Sequence, residues 1–538
     1  MGKGKQKASK KVSGNDCSQD QKALRNAVEK AVNEGVKIQD AANELPAIEA
    51  SAALIGAEAK YREALSIIIG HPDAAYNLAT CLSERADLET VSASGGSSPL
   101  KKLSLLQEAI SILEAVIERD TSRRGATTAL AHHALGNMIR SMVDVQEENR
   151  LQLDLQRDRD YPTVAEQMNR LRRSCRHFEE SLAIQKRAPN PPKGSDEVLI
   201  HWADTLARMM AMVMDEDVGG GESGTQLRRR YPWQPPPPWQ VQQALQLFSD
   251  ACAKYSEALE MDASSEESDI DTLLRNAGAV VDFLEWALPE AVDPSTGAAF
   301  SFGFEAEAVL KTGEQAMEAV FALECDHQRG LLAKGDLCRL RARTVMLAGS
   351  GLEEEARWWE ASCQHFARAL RTSHSDPEDM ATVVATTGEA FLGYARRFLE
   401  ISEQLALVSR TGSGQGTSPC VPPGWNIEAL RASALGRLQE ATVLLSQAAA
   451  ATTAADVSDS ESAFNLACAF SLGGNQVGCR DALAEYLRRL LARAQTAMLK
   501  DMARRALFDI VEDGDLKGVK EEGWFVELIS NANRTLAV

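Results

Sequence analysis

Two short patterns recur along this chain, and between them they dictate its architecture. In the first, a small residue is followed by a large apolar one and then a second small or short-branched one, at spacings of four and three. Ala57-x3-Tyr61-x2-Ala64-Leu65, Ala109-x3-Leu113-x2-Val116, Ala251-x3-Tyr255-x2-Ala258-Leu259 and Ser362-x3-Phe366-x2-Ala369-Leu370 all read this way. In the second, an apolar residue stands before Ala or Gly, with another apolar residue three positions on. Leu78-Ala79-x2-Leu82, Leu135-Gly136-x2-Ile139, Trp202-Ala203-x2-Leu206, Ala277-Gly278-x2-Val281 and Leu466-Ala467-x2-Phe470 follow it, with looser members at Lys334-Gly335 and Thr387-Gly388. Spacings of three and four gather side chains on one face of an α-helix. Strand signals are scarce, since aromatics are only 5% and β-branched alternation is nearly absent. An all-α chain of paired amphipathic helices is expected.

These segments resemble the tetratricopeptide repeat (TPR) superfamily, with the second pattern in the place of its first helix and the first pattern in that of its second. The best matches are Tyr76-Asn77-Leu78-Ala79 and Phe464-Asn465-Leu466-Ala467-Cys468. The resemblance covers most of residues 50–530. It implies an all-α, right-handed superhelical solenoid of about seven TPR-like helical hairpins, each burying a face that one hairpin alone would leave wet.

The spacing departs from the family's ~34-residue period. The small anchors fall at 79, 136, 203, 278, 335, 388 and 467, so the gaps are 57, 67, 75, 57, 53 and 79. From a second helix to the next first helix the distances stay short: 64 to 79, 116 to 136, 181 to 203, 258 to 278 and 369 to 388 are 15 to 22 residues. Within a hairpin, 79 to 109, 136 to 174, 203 to 251 and 335 to 362 are 30, 38, 48 and 27 residues, against 12 for 467 to 479. The extra length therefore belongs to the turns between first and second helices (A–B turns), which should be extended or looped. Ser92–Pro99, Asp217–Pro238 and Thr411–Gly424 have loop composition, whereas Val145–Arg159 reads as lengthened helix.

The organisation expected is a disordered Lys-rich tail at 1–18, a TPR-like array at 19–300 with a Pro/Gly-rich insertion at 217–240, and a second array at 301–538 with a loop at 407–425. Asp513-Gly-Asp515-Leu516 and Trp524-Phe525-x-x-Leu528 resemble the closing segment that covers the last hairpin of such arrays.

Charge narrows the partners. Lys and Arg total 58 against 77 Asp and Glu, a net charge of −19, which suits a basic protein client and disfavours nucleic acid outside the Lys-rich tail. No run approaches the ~20 apolar residues of a membrane helix, so no membrane partner is expected. The ten cysteines include no Cys-x-x-Cys pair, and Cys81, Cys252 and Cys468 sit beside Ala and Leu in helical patterns. A reducing compartment follows, cytoplasmic with the nucleus as the other possibility.

No catalytic constellation emerges, and the chain is expected to be no enzyme and to carry no cofactor and no metal. Adjacent His132 and His133 point about 100° apart on a helix and cannot share one ion. Cys325-Asp326-His327 has no second cluster at zinc spacing. The Gly-rich runs Gly219–Gly224 and Gly412–Gly416 lack the strand and helix of a phosphate cradle.

Binding features are more informative. The residue two before the small anchor projects toward bound peptide in the family, which nominates Asn77, Asn276 and Asn465, with His133 one position earlier in its own repeat. An amide there both donates and accepts. Separately, Arg229-x-x-Pro232-x-x-Pro235 matches the basic-plus-PxxP ligand of SH3 domains within a polyproline-prone run. The acidic Ser segments at 264–269 and 458–461 suit helix N-termini, and they also suit an acid-directed kinase. The expected function is a non-enzymatic scaffold or adaptor binding proteins or peptides within a larger assembly. The alternative is a dedicated chaperone for a basic client such as a ribosomal protein or histone.

Overall fold

The computed structural model describes residues 16–88, 99–119, 126–148, 162–187, 194–215, 236–261, 266–288, 305–349, 351–372, 377–411, 426–454, 461–494 and 497–537. Among these residues there are eighteen α-helices, one 3₁₀ turn and no strand. The helices run in pairs: α1 (Asp16–Ala42) with α2 (Ala47–Ile67), α3 (Pro72–Leu88) with α4 (Pro99–Arg119), and α5 (Ala126–Glu148) with α6 (Val164–Arg187). Then come α7 (Ser195–Asp215) with α8 (Pro238–Met261), α9 (Glu266–Ala287) with α10 (Ala306–Leu323), and α11 (Gln328–Ala348) with α12 (Leu352–Ala369). The last pairs are α13 (Pro377–Thr411) with α14 (Ile427–Ala454) and α15 (Glu461–Leu472) with α16 (Gln476–Arg493). Helix α17 (Ala497–Glu512), the turn Gly514–Leu516 and α18 (Gly523–Ala537) close the chain.

The helix starts are written locally. Pro72, Pro99, Pro238 and Pro377 each open a helix, where the missing N–H would be unpaired anyway. Thr163 and Glu166 cap α6 reciprocally, Thr163 N–H to Glu166 Oε2 at 2.8 Å and Glu166 N–H to Thr163 Oγ1 at 3.2 Å. His327 is also a cap: its Nδ1 accepts from Gly330 N–H at 3.1 Å, while Asp326 accepts from Arg368 at 2.7 Å. Cys325-Asp326-His327 thus initiates α11.

The chain divides into two compact units, Met1–Met209 with Ser256–Met261, and Met210–Tyr255 with Asp262–Val538. Each is a stack of TPR-like hairpins. In the first, α1 packs on α2, α3 on α4 and α5 on α6, with first helices also touching along the series α1, α3, α5. In the second, α9 packs on α10, α11 on α12, α13 on α14 and α15 on α16, and first helices meet again in the pairs α9–α11 and α13–α15. Contacts between consecutive first helices are what makes each stack a repeat array rather than a row of separate hairpins.

The recurring small anchor has a direct structural cause. A Cβ added at Gly136 would lie 2.6 Å from the Phe178 ring, and one at Gly335 would lie 2.7 Å from the Phe366 ring. Both rings are fully buried. In these hairpins the small residue of the first helix is the socket for the large residue of its own second helix. Gly35 and Tyr61 stand in the same relation at 2.6 Å, so α1 and α2 form a further hairpin, making eight among the described residues. That pair hides in the sequence because Glu34, not an apolar residue, precedes Gly35.

Between hairpins the connections are short, as at 68–71 and 324–327. Within hairpins they span 89–98, 149–163, 216–237, 288–305 and 412–426, so the extra length falls where the spacing placed it. One hairpin differs. Between α11 and α12 only residues 349–351 intervene, and the excess there is helix, 21 and 18 residues long, with Gly349 closing α11 at φ 67°. Most of the loops at 92–99, 217–238 and 411–424, residues 1–15 of the Lys-rich tail, and the segment 149–159 lie outside the described residues, while 16–18, expected in that tail, open α1.

The closing segment packs on the last hairpin. Leu516, Val519, Phe525, Ala532 and Leu536 join one core cluster with Leu466, Ala467 and Leu483 of the last hairpin. Arg396 of α13 holds the carboxylate of Asp515 in an ion pair. No helix among the described residues is long and apolar enough to cross a membrane.

Candidate functional site

The richest polar cluster in the first unit lies where the first helices α3, α5 and α7 follow one another. Each carries its small anchor inward: Ala79, Gly136 and Ala203 are fully or nearly fully buried. Neighbouring positions on the same helices present polar groups to the adjacent first helix. His133 Nε2 lies 2.8 Å from His201 Nδ1, and Asn137 Nδ2 lies 2.9 Å from His201 Nδ1 and 3.3 Å from His133 Nε2. Further along, Arg140 donates to Asp204 at 2.9 Å and Arg208 to Asp144 at 3.0 Å. Four of these residues come from α5 and three from α7.

The two adjacent histidines part company as helix geometry requires. His133 turns to α7, whereas His132 turns to α6 and places its Nδ1 3.0 Å from His177 Nδ1. Burial depresses His133 to a pKa of about 4, with Arg140 adding to the effect. Burial likewise depresses His177 to about 4, helped by His132 and Arg173. Both rings are neutral at physiological pH and therefore available as acceptors or ligands.

Glu197 stands one turn before His201 on α7, exposed, with a carboxylate oxygen within 4.8 Å of both His133 and His201 ring nitrogens. Tyr76 of α3 faces the same region. Its phenol is raised by burial first and by the Glu197 charge second. Asn77, next to it, is half-buried.

The second unit uses the same register with other residues. Asn465, two before its anchor, donates to Glu389, one after the preceding anchor, at 3.0 Å. His201 and Asn137 hold those two positions in the first unit. Asn276 is equally buried, and its Oδ1 has no hydrogen-bond partner. Where the first unit pairs Arg140 with Asp204, α9 and α11 place Asp282 and Asp336 at the matching positions, with Arg339 bridging Asp336 at 3.0 Å and Glu285. Enclosure pushes the Asp282 carboxyl up to about 6, and the charges of Glu285 and Asp336 push the same way.

His201 is the residue that sequence reasoning missed. It sits two before Ala203, the rule that nominated Asn77, Asn276 and Asn465, so the signal was present. Its partner was not legible, because His133 lies 68 residues away. Arg229, Pro232 and Pro235 lie outside the described residues, as do Ser264, Ser265 and 458–460, although helices α9 and α15 begin directly after those Ser segments.

Most of the described cysteines are buried thiols. Burial raises Cys81, Cys252 and Cys363 to about 12, and Cys81 donates to the Leu54 carbonyl at 3.3 Å. Cys468 approaches Asp513 and Asp515, but burial keeps it a thiol and Asp515 already pairs with Arg396.

No protein-family model and no curated protein matches the chain. Among solved structures, the S. pombe nuclear import adaptor Nro1 is similar at 11% identity and a TM-score of 0.41, over 66% of this chain and 98% of that one. A circular tandem repeat protein is similar at 14% identity and 0.28, over 96% and 98%. The APC/C subunit assembly Cut9-Hcn1 gives 13% identity and 0.21, over 84% and 93%. At such scores these likenesses bear on neither partner nor activity.

Proposed function

We propose that this chain is a non-enzymatic helical-repeat scaffold that binds other proteins or peptides along the face of its first helices. The observation that supports this is the polar file on α3, α5 and α7. Tyr76, His133, Asn137 and Glu197 bring donors, acceptors and an aromatic surface together, with half-buried Asn77 beside Tyr76 on α3. An extended backbone presents alternating N–H and C=O groups that such a strip can answer. Asn77 and His133 belong to the contact surface. Asn276 and Asn465 occupy matching positions in the second unit, where Asn465 also ties its first helix to the preceding one through Glu389. The compartment is the cytoplasm or the nucleus, in keeping with free thiols.

A second function is favoured by one specific feature. Glu285 and Asp336 share the single guanidinium of Arg339, Asp282 adds a third acid beside them, and the whole chain carries −19. An additional Lys or Arg would relieve that excess, as a chaperone for a basic client such as a ribosomal protein or histone requires.

The test is affinity capture of the tagged protein from its own cells at low and high salt, beside the Asn77→Ala/His133→Ala/Asn276→Ala variant. Salt-resistant partners lost in the variant support the scaffold. A single basic partner that washes off in salt supports the client chaperone. Capture unchanged in the variant removes this surface. The Arg229–Pro235 run offers a separate SH3 ligand, and Pro232→Ala with Pro235→Ala should abolish any SH3 partner.

A further inference from the structure

We propose that His133, His201 and Glu197 form a site for a divalent transition-metal ion of the zinc class, joining α5 to α7. Three features of the cluster carry it. First, His133 Nε2 and His201 Nδ1 are 2.8 Å apart, and the Asn137 amide reaches both. Each neutral imidazole has one ring lone pair, so His201 Nδ1 cannot accept fully from both neighbours. The two ring nitrogens, brought together from two helices, share one proton at most, and a cation that displaces that proton is held by both imidazole lone pairs.

Second, the Asn137 Oδ1 is buried with no partner, while its Nδ2 faces the imidazoles. The two ends of an amide are interchangeable by a half-turn. Reversed, Asn137 turns its oxygen toward the ring nitrogens and becomes a supporting ligand or second-sphere acceptor.

Third, Glu197 closes the set from the exposed side. It precedes His201 by four residues on α7, so both point from one helix face. All three ligand atoms lie within 4.8 Å of one another. Tetrahedral zinc with bonds near 2.0–2.1 Å separates its ligands by about 3.3 Å. The imidazoles must open by about 0.5 Å and the carboxylate close by at most about 1.5 Å, both within side-chain reach. Two imidazoles and one carboxylate suit zinc, cobalt or nickel rather than magnesium or calcium. Three protein ligands leave a fourth position open toward the exposed side, for water or a group from a binding partner.

The test is titration of the purified full-length chain with Co(II) under reducing conditions, followed by its visible d–d absorption and by calorimetry. One equivalent is expected to bind in a low-symmetry nitrogen/oxygen environment. Glu197→Gln, on the exposed side, should weaken binding at least tenfold, and His201→Gln should abolish it. A His132→Ala/His177→Ala variant should bind as the parent does. If His201→Gln fails to fold, Glu197→Gln decides alone. Undiminished binding in Glu197→Gln, loss of binding only in the His132/His177 variant, a sulfur-to-cobalt charge-transfer band, or no saturable binding would each overturn the site.

Discussion

Ser174 Oγ donates to the Gly136 carbonyl at 2.7 Å, and 27 residues separate the equivalent pair, in which Ser362 Oγ donates to the Gly335 carbonyl at 2.8 Å. In each hairpin the serine lies one turn before the aromatic that fills the glycine socket, Phe178 or Phe366. A small residue at the second-helix position therefore does two things. It admits the first helix closely, and its hydroxyl gives a second donor to a carbonyl in the interior of that helix.

That arrangement separates two glycines that look alike in sequence. Gly136→Ala drives a Cβ into a buried ring, and overpacking of this kind costs about 1–3 kcal/mol. Gly278→Ala meets nothing within 4 Å and should stabilise α9 by about 0.5–1 kcal/mol. Urea unfolding followed by circular dichroism distinguishes the two, and a shift of the same sign in both would refute the socket.

Glu355 is 2% exposed and accepts from Arg397 through both oxygens, at 2.7 and 3.2 Å. Arg397→Ala leaves a buried carboxylate without its partner, a loss of about 3–5 kcal/mol. Adding Glu355→Gln to that variant should restore part of the stability. A double variant weaker than either single would show that the pair is not what holds α12 to α13.

The depressed histidines make the first unit acid-sensitive. His133 and His177 titrate near 4 in the fold against 6.5 in the open chain. Between those values the unfolded state binds more protons, so stability present above pH 6.5 is lost as pH falls toward 4. His133→Gln should flatten that dependence. Denaturation midpoints at pH 7, 5.5 and 4.5 for parent and variant measure it, and parallel curves would exclude the histidine.

Asp282 has the opposite sign. Its carboxyl sits near 6 in the fold against 3.8 unperturbed, so the folded state holds the proton more tightly and loses stability as pH rises through this window. Asp282→Asn should raise the urea midpoint at pH 7 and leave it unchanged at pH 4. Equal shifts at both pH values would assign the effect to packing.

The end of the array offers a fifth check. Phe525 is 3% exposed against the last hairpin. Phe525→Ala should cost about 3–5 kcal/mol and uncover apolar surface that binds a hydrophobic dye. Unchanged dye binding would mean that the closing segment covers nothing.

By itself the sequence determined the helical hairpins, the small anchors and the edge that carries the extra residues. All three are local or periodic: three-and-four spacing fixes a helix face, and residue counts between anchors fix where length accumulates. Gly335-x26-Ser362-x3-Phe366 is readable because the whole socket lies in one hairpin. The tertiary structure alone decided which first-helix residues meet. His133 reaches His201 across 68 positions, and Asn465 reaches Glu389 across 76, because the intervening second helix and its insertion drop out of the spatial path. Insertions of unequal length erase the period that would have aligned those positions. Side-chain direction then chose between neighbours, sending His132 to His177 and His133 to His201 on a difference of one residue, about 100° of helix turn.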